Sequence, residues 1–106
     1  MDNKEIFKEV IVFLKQCLLK NGIQVDAIAL FGSALRGDMN KESEIDLIII
    51  SSGFSNLDIF ERARLTMKSE TETLRKFKIP MDILNLSPEE YEHSNARLFY
   101  QSKIVA

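Results

Sequence analysis

The run IDLIII at residues 45–50 constrains this chain more than any other segment. It is dense in β-branched side chains and apolar without alternation after Asp46, which predicts a strand covered on both faces. A chain of 106 residues is one domain's worth. The strand at 45–50 is therefore expected to be central, with everything else arranged around it.

The flanking segments fit that frame. Residues 57–77 carry apolar side chains at Phe60, Ala63, Met67 and Leu74, the spacing of an amphipathic helix of about five turns. Pro80 forbids its continuation. Residues 81–86 alternate well enough for a third strand. A long helix between two strands makes their connection a crossover, so the second and third strands are expected to lie parallel and adjacent. Upstream, residues 26–31 read as a short buried strand closed by Gly32-Ser33, with Ser33 as the N-cap of a helical turn through Ala34 and Leu35. Residues 37–43 are polar turn formers and read as a loop. Because that connection holds only a short turn, the first two strands are expected to be antiparallel.

At the start, Ile6, Val10, Phe13, Leu14, Cys17 and Leu18 fall on one side of a helix over residues 5–19, and Gly22 supplies its stop. Ser87-Pro88-Glu89-Glu90 has the capping-box pattern that opens another helix, and residues 96–105 read as a last short one. The order α-β-α-β-α-β-α predicts a single domain over 1–106 of α/β (α+β-like) class. Its sheet is expected to be mixed and three-stranded, with helices on one main face.

Composition removes several function classes. Fourteen Lys and Arg stand against 16 Asp and Glu, a net charge of -2 with no basic block, so sequence-independent binding of long nucleic acid is not expected. The single cysteine, Cys17, cannot form an internal disulfide, and with one histidine, His93, it cannot build a zinc site from soft ligands. Any metal must be held by carboxylates. No apolar run approaches the roughly 18 residues of a membrane span, and the start Met1-Asp2-Asn3-Lys4-Glu5 lacks the pattern of a signal peptide. A cytoplasmic location is the expectation. On the first helix Val12 and Leu19 project away from the sheet side, a patch that a second copy in a homodimer or a protein partner would cover.

The chemistry sits in three acids and one turn. Strand alternation places Glu44 and Asp46 on one face with Ile45 turned away, the two carboxylates about 7 Å apart along the strand. Such a pair is repulsive unless a cation sits between, and Mg²⁺ commonly takes one or two carboxylates plus substrate phosphates. Parallel pairing brings Asp82, near the start of the third strand, to the same end. Gly32 lets backbone approach a ligand there, Ser33 and the following amides suit a phosphate, and Arg36 supplies a nearby cation. His93 reads as a solvated surface residue, Tyr91 and Tyr100 as core or rim, and Lys41 as an exposed loop lysine.

Phe31-Gly32-Ser33, a ten-residue spacer from Ala34 to Ser43, then Glu44-Ile45-Asp46, and Asp82 on a later strand together form a signature. It resembles that of the nucleotidyltransferase family of the DNA polymerase beta superfamily, in particular its minimal, antitoxin-like (MNT-type) bacterial members, which the Arg36-Gly37 pair also matches. The likeness covers residues 25–88. It implies transfer of a nucleoside monophosphate, AMP first among them, from a nucleoside triphosphate such as ATP to a hydroxyl, with release of pyrophosphate. By the same resemblance Gly32 and Ser33 hold the triphosphate and Arg36 supports it. Glu44 and Asp46 coordinate two Mg²⁺ ions, with Mn²⁺ as a substitute, and Asp82 holds one of them while accepting the proton of the attacking hydroxyl. Minimal members are paired with a helical HEPN-type protein as toxin and antitoxin, which makes such a protein the implied partner. In one respect the sequence departs from the pattern: Glu44 stands where the family usually has Asp. Two readings follow, an active nucleotidyltransferase and a catalytically weak nucleotide-binding antitoxin or regulatory module.

Overall fold

The computed structural model of the chain describes residues 3–32, 44–94 and 102–106. Helix α1 spans Asn3–Lys20, strand β1 Ala27–Phe31 and strand β2 Ile45–Ile50. Helix α2 (Ile59–Phe77), strand β3 (Met81–Leu86), helix α3 (Pro88–Glu92) and strand β4 (Lys103–Ile104) follow. The expected turn through Ala34 and Leu35 and the loop at 37–43 lie outside the described residues, as do Lys41 and Tyr100.

The boundaries have local causes. Helix α1 ends where Gly22 takes φ 84° and the amide of Ile23 donates to the carbonyl of Leu18 at 2.9 Å, a Schellman closure. Helix α2 begins at Asp58, whose carboxylate accepts from the Glu61 amide while Glu61 accepts from the Asp58 amide. The same reciprocal box, between Ser87 and Glu90, opens α3, as the sequence predicts.

The sheet order is β3-β2-β1-β4. Strand β2 pairs antiparallel with β1 and parallel with β3, so the expected crossover and central strand are both present. On one face α1 and α2 cover Ile28, Ile45, Leu47 and Ile49 in a core completed by Val10, Ile11, Leu14, Leu18 and Phe54. On the other face Ala29, Ile48 and Ile50 are buried, with Phe31, Leu86 and Tyr91 of α3 packed against them.

Two expectations are corrected. The sheet has four strands, because Lys103–Ile104 pairs antiparallel with β1 within the span 96–105 where a helix was expected; residues 96–101 of that span lie outside the described residues. The outer edge of β1 would otherwise leave its amides and carbonyls unpaired, and the last residues satisfy them: Val105 donates to the Ile28 carbonyl at 2.8 Å, and the Ile28 amide donates to Ala106 at 3.0 Å. The second correction concerns α2. Its span agrees with the expectation, but its apolar positions face outward, with Phe60 73%, Met67 59% and Leu74 46% exposed. The side turned inward carries Arg62, Thr66, Ser69 and Thr73. Those hydroxyls are tolerated there because they are satisfied: Thr73 Oγ1 donates to the Ser69 carbonyl at 2.8 Å, Thr66 Oγ1 to the Arg62 carbonyl at 3.3 Å, and Asn21 Nδ2 donates to Ser69 Oγ at 2.8 Å.

Candidate metal centre

Parallel pairing of β2 with β3 sets Asp46 directly opposite Asp82, and Glu44 stands immediately before β2. The register is fixed at that end by the Ile45 amide, which donates to the Pro80 carbonyl at 2.9 Å. Ile45 is fully buried on the helix-covered side. Alternation therefore turns Asp46 to the other face, where it is half-buried, while Glu44 and Asp82 are exposed. Each of the three acids offers a carboxylate oxygen within 4.8 Å of the other two.

Gly32 closes the corner. Phe31 is the partner of Asp46 across the antiparallel pair, so Gly32 leaves β1 at the same end. Its φ of 71° lies in the left-handed region. A Cβ built on it would run into the Asp46 carboxylate, with Cγ at 3.0 Å and Cβ at 3.3 Å. Glycine is required here twice over, by conformation and by the closeness of the acid. The sequence-predicted residues Gly32, Glu44, Asp46 and Asp82 are thus brought together. Ser33 and Arg36 lie outside the described residues.

Three carboxylates this close repel one another in water, and a hard divalent cation relieves that repulsion. An octahedral Mg²⁺ site holds its oxygens at about 2.0–2.1 Å from the ion, hence about 3 Å apart between neighbours and about 4.2 Å across. The observed spread of up to 4.8 Å is a little wider than these values, at a site where two of the three acids, Glu44 and Asp82, are exposed. The all-oxygen donor set fits Mg²⁺ or Mn²⁺ and does not fit a soft ion.

At the opposite end of the sheet from the acids, one residue that the sequence does not single out organises the packing. Arg62 is 8% exposed. It donates through Nε to the Leu57 carbonyl at 2.9 Å, and through Nη1 to the Asn85 carbonyl at 3.0 Å and to Glu90 Oε1 at 2.7 Å. It also stacks over Phe54 at 5.8 Å from the ring centroid. It therefore ties α2, the far end of β3 and α3 together, holding the strand that carries Asp82. The Arg62 guanidinium, with the Ser87 amide, holds the Glu90 carboxyl below its ordinary value. The only trace in the sequence is that Arg62 shares a helical face with Thr66, Ser69 and Thr73. His93 is exposed, in keeping with its surface reading. Tyr91 is half-buried, its hydroxyl 2.6 Å from Ser102 Oγ.

Solved structures share this arrangement of strands and helices. A protein of Sulfolobus solfataricus provisionally described as a nucleotidyltransferase superposes with a TM-score of 0.64 at 17% identity, covering 94% of this chain and 76% of its own. A toxin-antitoxin with AMP-PNP gives 0.58 at 20% identity, over 92% of this chain and 70% of that one. BolA1 from Arabidopsis thaliana gives 0.52 at 19% identity, over 73% of this chain and 89% of that one. At such identities the likeness is one of fold, and a fold alone does not decide chemistry. Among curated proteins none matches the chain. The family model of the nucleotidyltransferase domain matches residues 10–105, nearly the whole sequence, and with the acids and Gly32 where this fold gathers them, the chain belongs to the nucleotidyltransferase domain family.

Proposed function

We propose that the chain transfers a nucleoside monophosphate, AMP in the first instance, from a nucleoside triphosphate to a hydroxyl of a protein partner. The observation that carries this reading is the meeting of Glu44, Asp46 and Asp82 at one end of the sheet beside Gly32. Family membership supports it, and the fold likeness to a toxin-antitoxin with AMP-PNP makes ATP and a partner of the HEPN toxin type the first to test. In the reaction the hydroxyl oxygen attacks the α-phosphorus, the bond from that phosphorus to the bridging oxygen breaks, and pyrophosphate leaves. Asp82 is assigned to accept the hydroxyl proton. Gly32 and Ser33 are assigned to the triphosphate, with Arg36 in support. Glu44, Asp46 and Asp82 would hold two Mg²⁺ ions, which when bound neutralise the phosphates and stabilise both the attacking and the leaving oxygens.

Glu44 favours a second reading. Its extra methylene, where the family usually has Asp, moves the carboxylate by about 1 Å, and Mg²⁺ demands near-ideal geometry. A chain that binds nucleotide and metal yet turns over slowly would act as an antitoxin or regulatory module through its partner. Calorimetry with ATP, with and without Mg²⁺, tests the shared part: metal-dependent binding tighter than about 1 mM is expected, and Asp46→Asn should weaken it at least about tenfold. Binding that ignores the metal sinks both readings. Pyrophosphate release then separates them, because Glu44→Asp should raise the rate in Mg²⁺ if the longer side chain is what slows it. A series at position 44 with Asp, Gln and Ala that leaves metal binding and turnover unchanged removes Glu44 from the site.

A further inference from the structure

Among the described residues, the outward-facing side of α2 is a feature that neither the fold nor the acid site uses. At 3.6 residues per turn, Ile59, Ala63, Leu74, Met67 and Phe60 fall within about 100° of the helix circumference. Ile59 and Phe60 are 74% and 73% exposed. Helix α1 packs on the opposite flank, where Lys20 bridges Glu72 at 2.9 Å, Asn21 meets Ser69, and Lys76 lies over the Phe13 ring. The stripe is therefore turned away from α1. Phe60, Ala63, Met67 and Leu74 alternate steps of three and four, interrupted once by Glu70, which is the seam spacing of a paired helix. Ala63 leaves room for close approach. Along the solvent border of the stripe run three exposed cations, Arg64, Lys68 and Arg75, with Glu61 and Glu72 lying beyond them on the side away from the stripe.

We infer that this flank of α2 is a docking face for an amphipathic helix of a partner protein whose own apolar stripe is bordered by Asp or Glu. The apolar spacing selects a helix, and the basic border selects the charge. A second copy fits less well. Antiparallel pairing of the stripe with itself sets the basic border of one helix against that of its mate, and like charges so placed act against the pairing. The surface takes from the proposed function only that a protein partner exists. Its test reads peptide binding, not nucleotide transfer, so the two stand or fall separately.

The probe is a synthetic helical peptide of about 20 residues with Leu at alternating steps of three and four and Glu at the borders. A companion peptide has Lys at the borders. Fluorescence anisotropy with the full chain should show the Glu-bordered peptide binding at least about tenfold tighter than the Lys-bordered one. Met67→Lys or Phe60→Glu, both at exposed positions, should each weaken it by a similar factor, and Arg64→Glu with Arg75→Glu should reverse the preference. The inference is overturned if neither peptide binds, if both bind alike, or if the stripe variants leave binding unchanged. It is equally overturned if light scattering finds a dimer that Met67→Lys dissociates, which would assign the face to a second copy.

Discussion

Helices α1 and α2 lie side by side on one face of the sheet, yet they are built on opposite plans. α1 turns Val10, Ile11, Leu14 and Leu18 inward, each apolar side chain contributing about 1.5–3 kcal/mol by leaving water. α2 turns Thr66, Ser69 and Thr73 inward, with the Thr66 and Thr73 hydroxyls bonded to carbonyls of the helix itself, and is tied to its neighbours by the Asn21–Ser69 hydrogen bond, worth about 1 kcal/mol net, and by the Arg62 hub. The difference teaches that an amphipathic pattern gives a helix two faces without saying which faces the core. Small hydroxyl side chains let α2 lie close to its neighbours while satisfying their own polar atoms. Among the described residues nothing covers its apolar side, which is left for a partner.

The sharpest way to break this comparison is to truncate one side chain from each helix. Leu14→Ala should lower the unfolding free energy by about 3–5 kcal/mol, because it opens a cavity in a fully buried site. Met67→Ala, at a side chain 59% exposed, should change it by no more than about 0.5 kcal/mol. Denaturant titration of the two variants decides the matter. Equal losses would mean that the outer flank of α2 is covered within the chain.

A smaller but still large effect is expected at Arg62. Arg62→Ala should cost about 2–4 kcal/mol, since it strands the Asn85 and Leu57 carbonyls and removes the partner of Glu90. Arg62→Met keeps the aliphatic packing and should cost less. The pH dependence carries a signature. The folded state holds Glu90 below its ordinary value of 4.5, so this contribution is present above that value and is lost as pH falls through the folded one. In Arg62→Met the acid limb of the stability curve should flatten below about pH 4.5, and an unchanged limb would remove Arg62 as the cause.

How far the sequence could be read depended on whether a signal was local. The caps at Gly22 and Ser87, the apolar run 45–50 and Pro80 act within a few residues, and the elements they delimit stand where expected. The crossover rule is topological, and it alone places Asp46 and Asp82 at one end of the sheet. What resisted reading depends on tertiary neighbours. β4 is two residues long and exists because β1 has an open edge. The inward side of α2 is set by its fit against α1 and β3, and the role of Arg62 by Glu90, 28 positions later in the chain. At Gly32 the sequence showed a turn, but not that the Asp46 carboxylate leaves no room for any side chain.

The smallest effect concerns Glu70, the one acid that interrupts the apolar stripe. Burial raises its carboxyl above the ordinary value of 4.5, and a hydrogen bond with Thr66 works the other way. A group whose folded value is raised contributes stability that is full below the unfolded value and is lost as pH rises through the folded one. At neutral pH the ionised carboxylate thus weighs against the fold, and Glu70→Gln should stabilise it slightly, within about 0.5 kcal/mol. The gain should vanish near pH 3, well below the unfolded value, where the acid is neutral in both states. Thermal unfolding at the two pH values tests this. A loss of stability at pH 7 would mean that the Glu70 carboxylate is held by favourable contacts in the fold, so that α2 presents a mixed polar surface there and the contrast with α1 is weaker than drawn. A gain would leave Glu70 as a charge kept within an apolar seam at some expense to the isolated chain, and Glu70→Leu should then tighten binding of the acid-bordered helix by completing the seam.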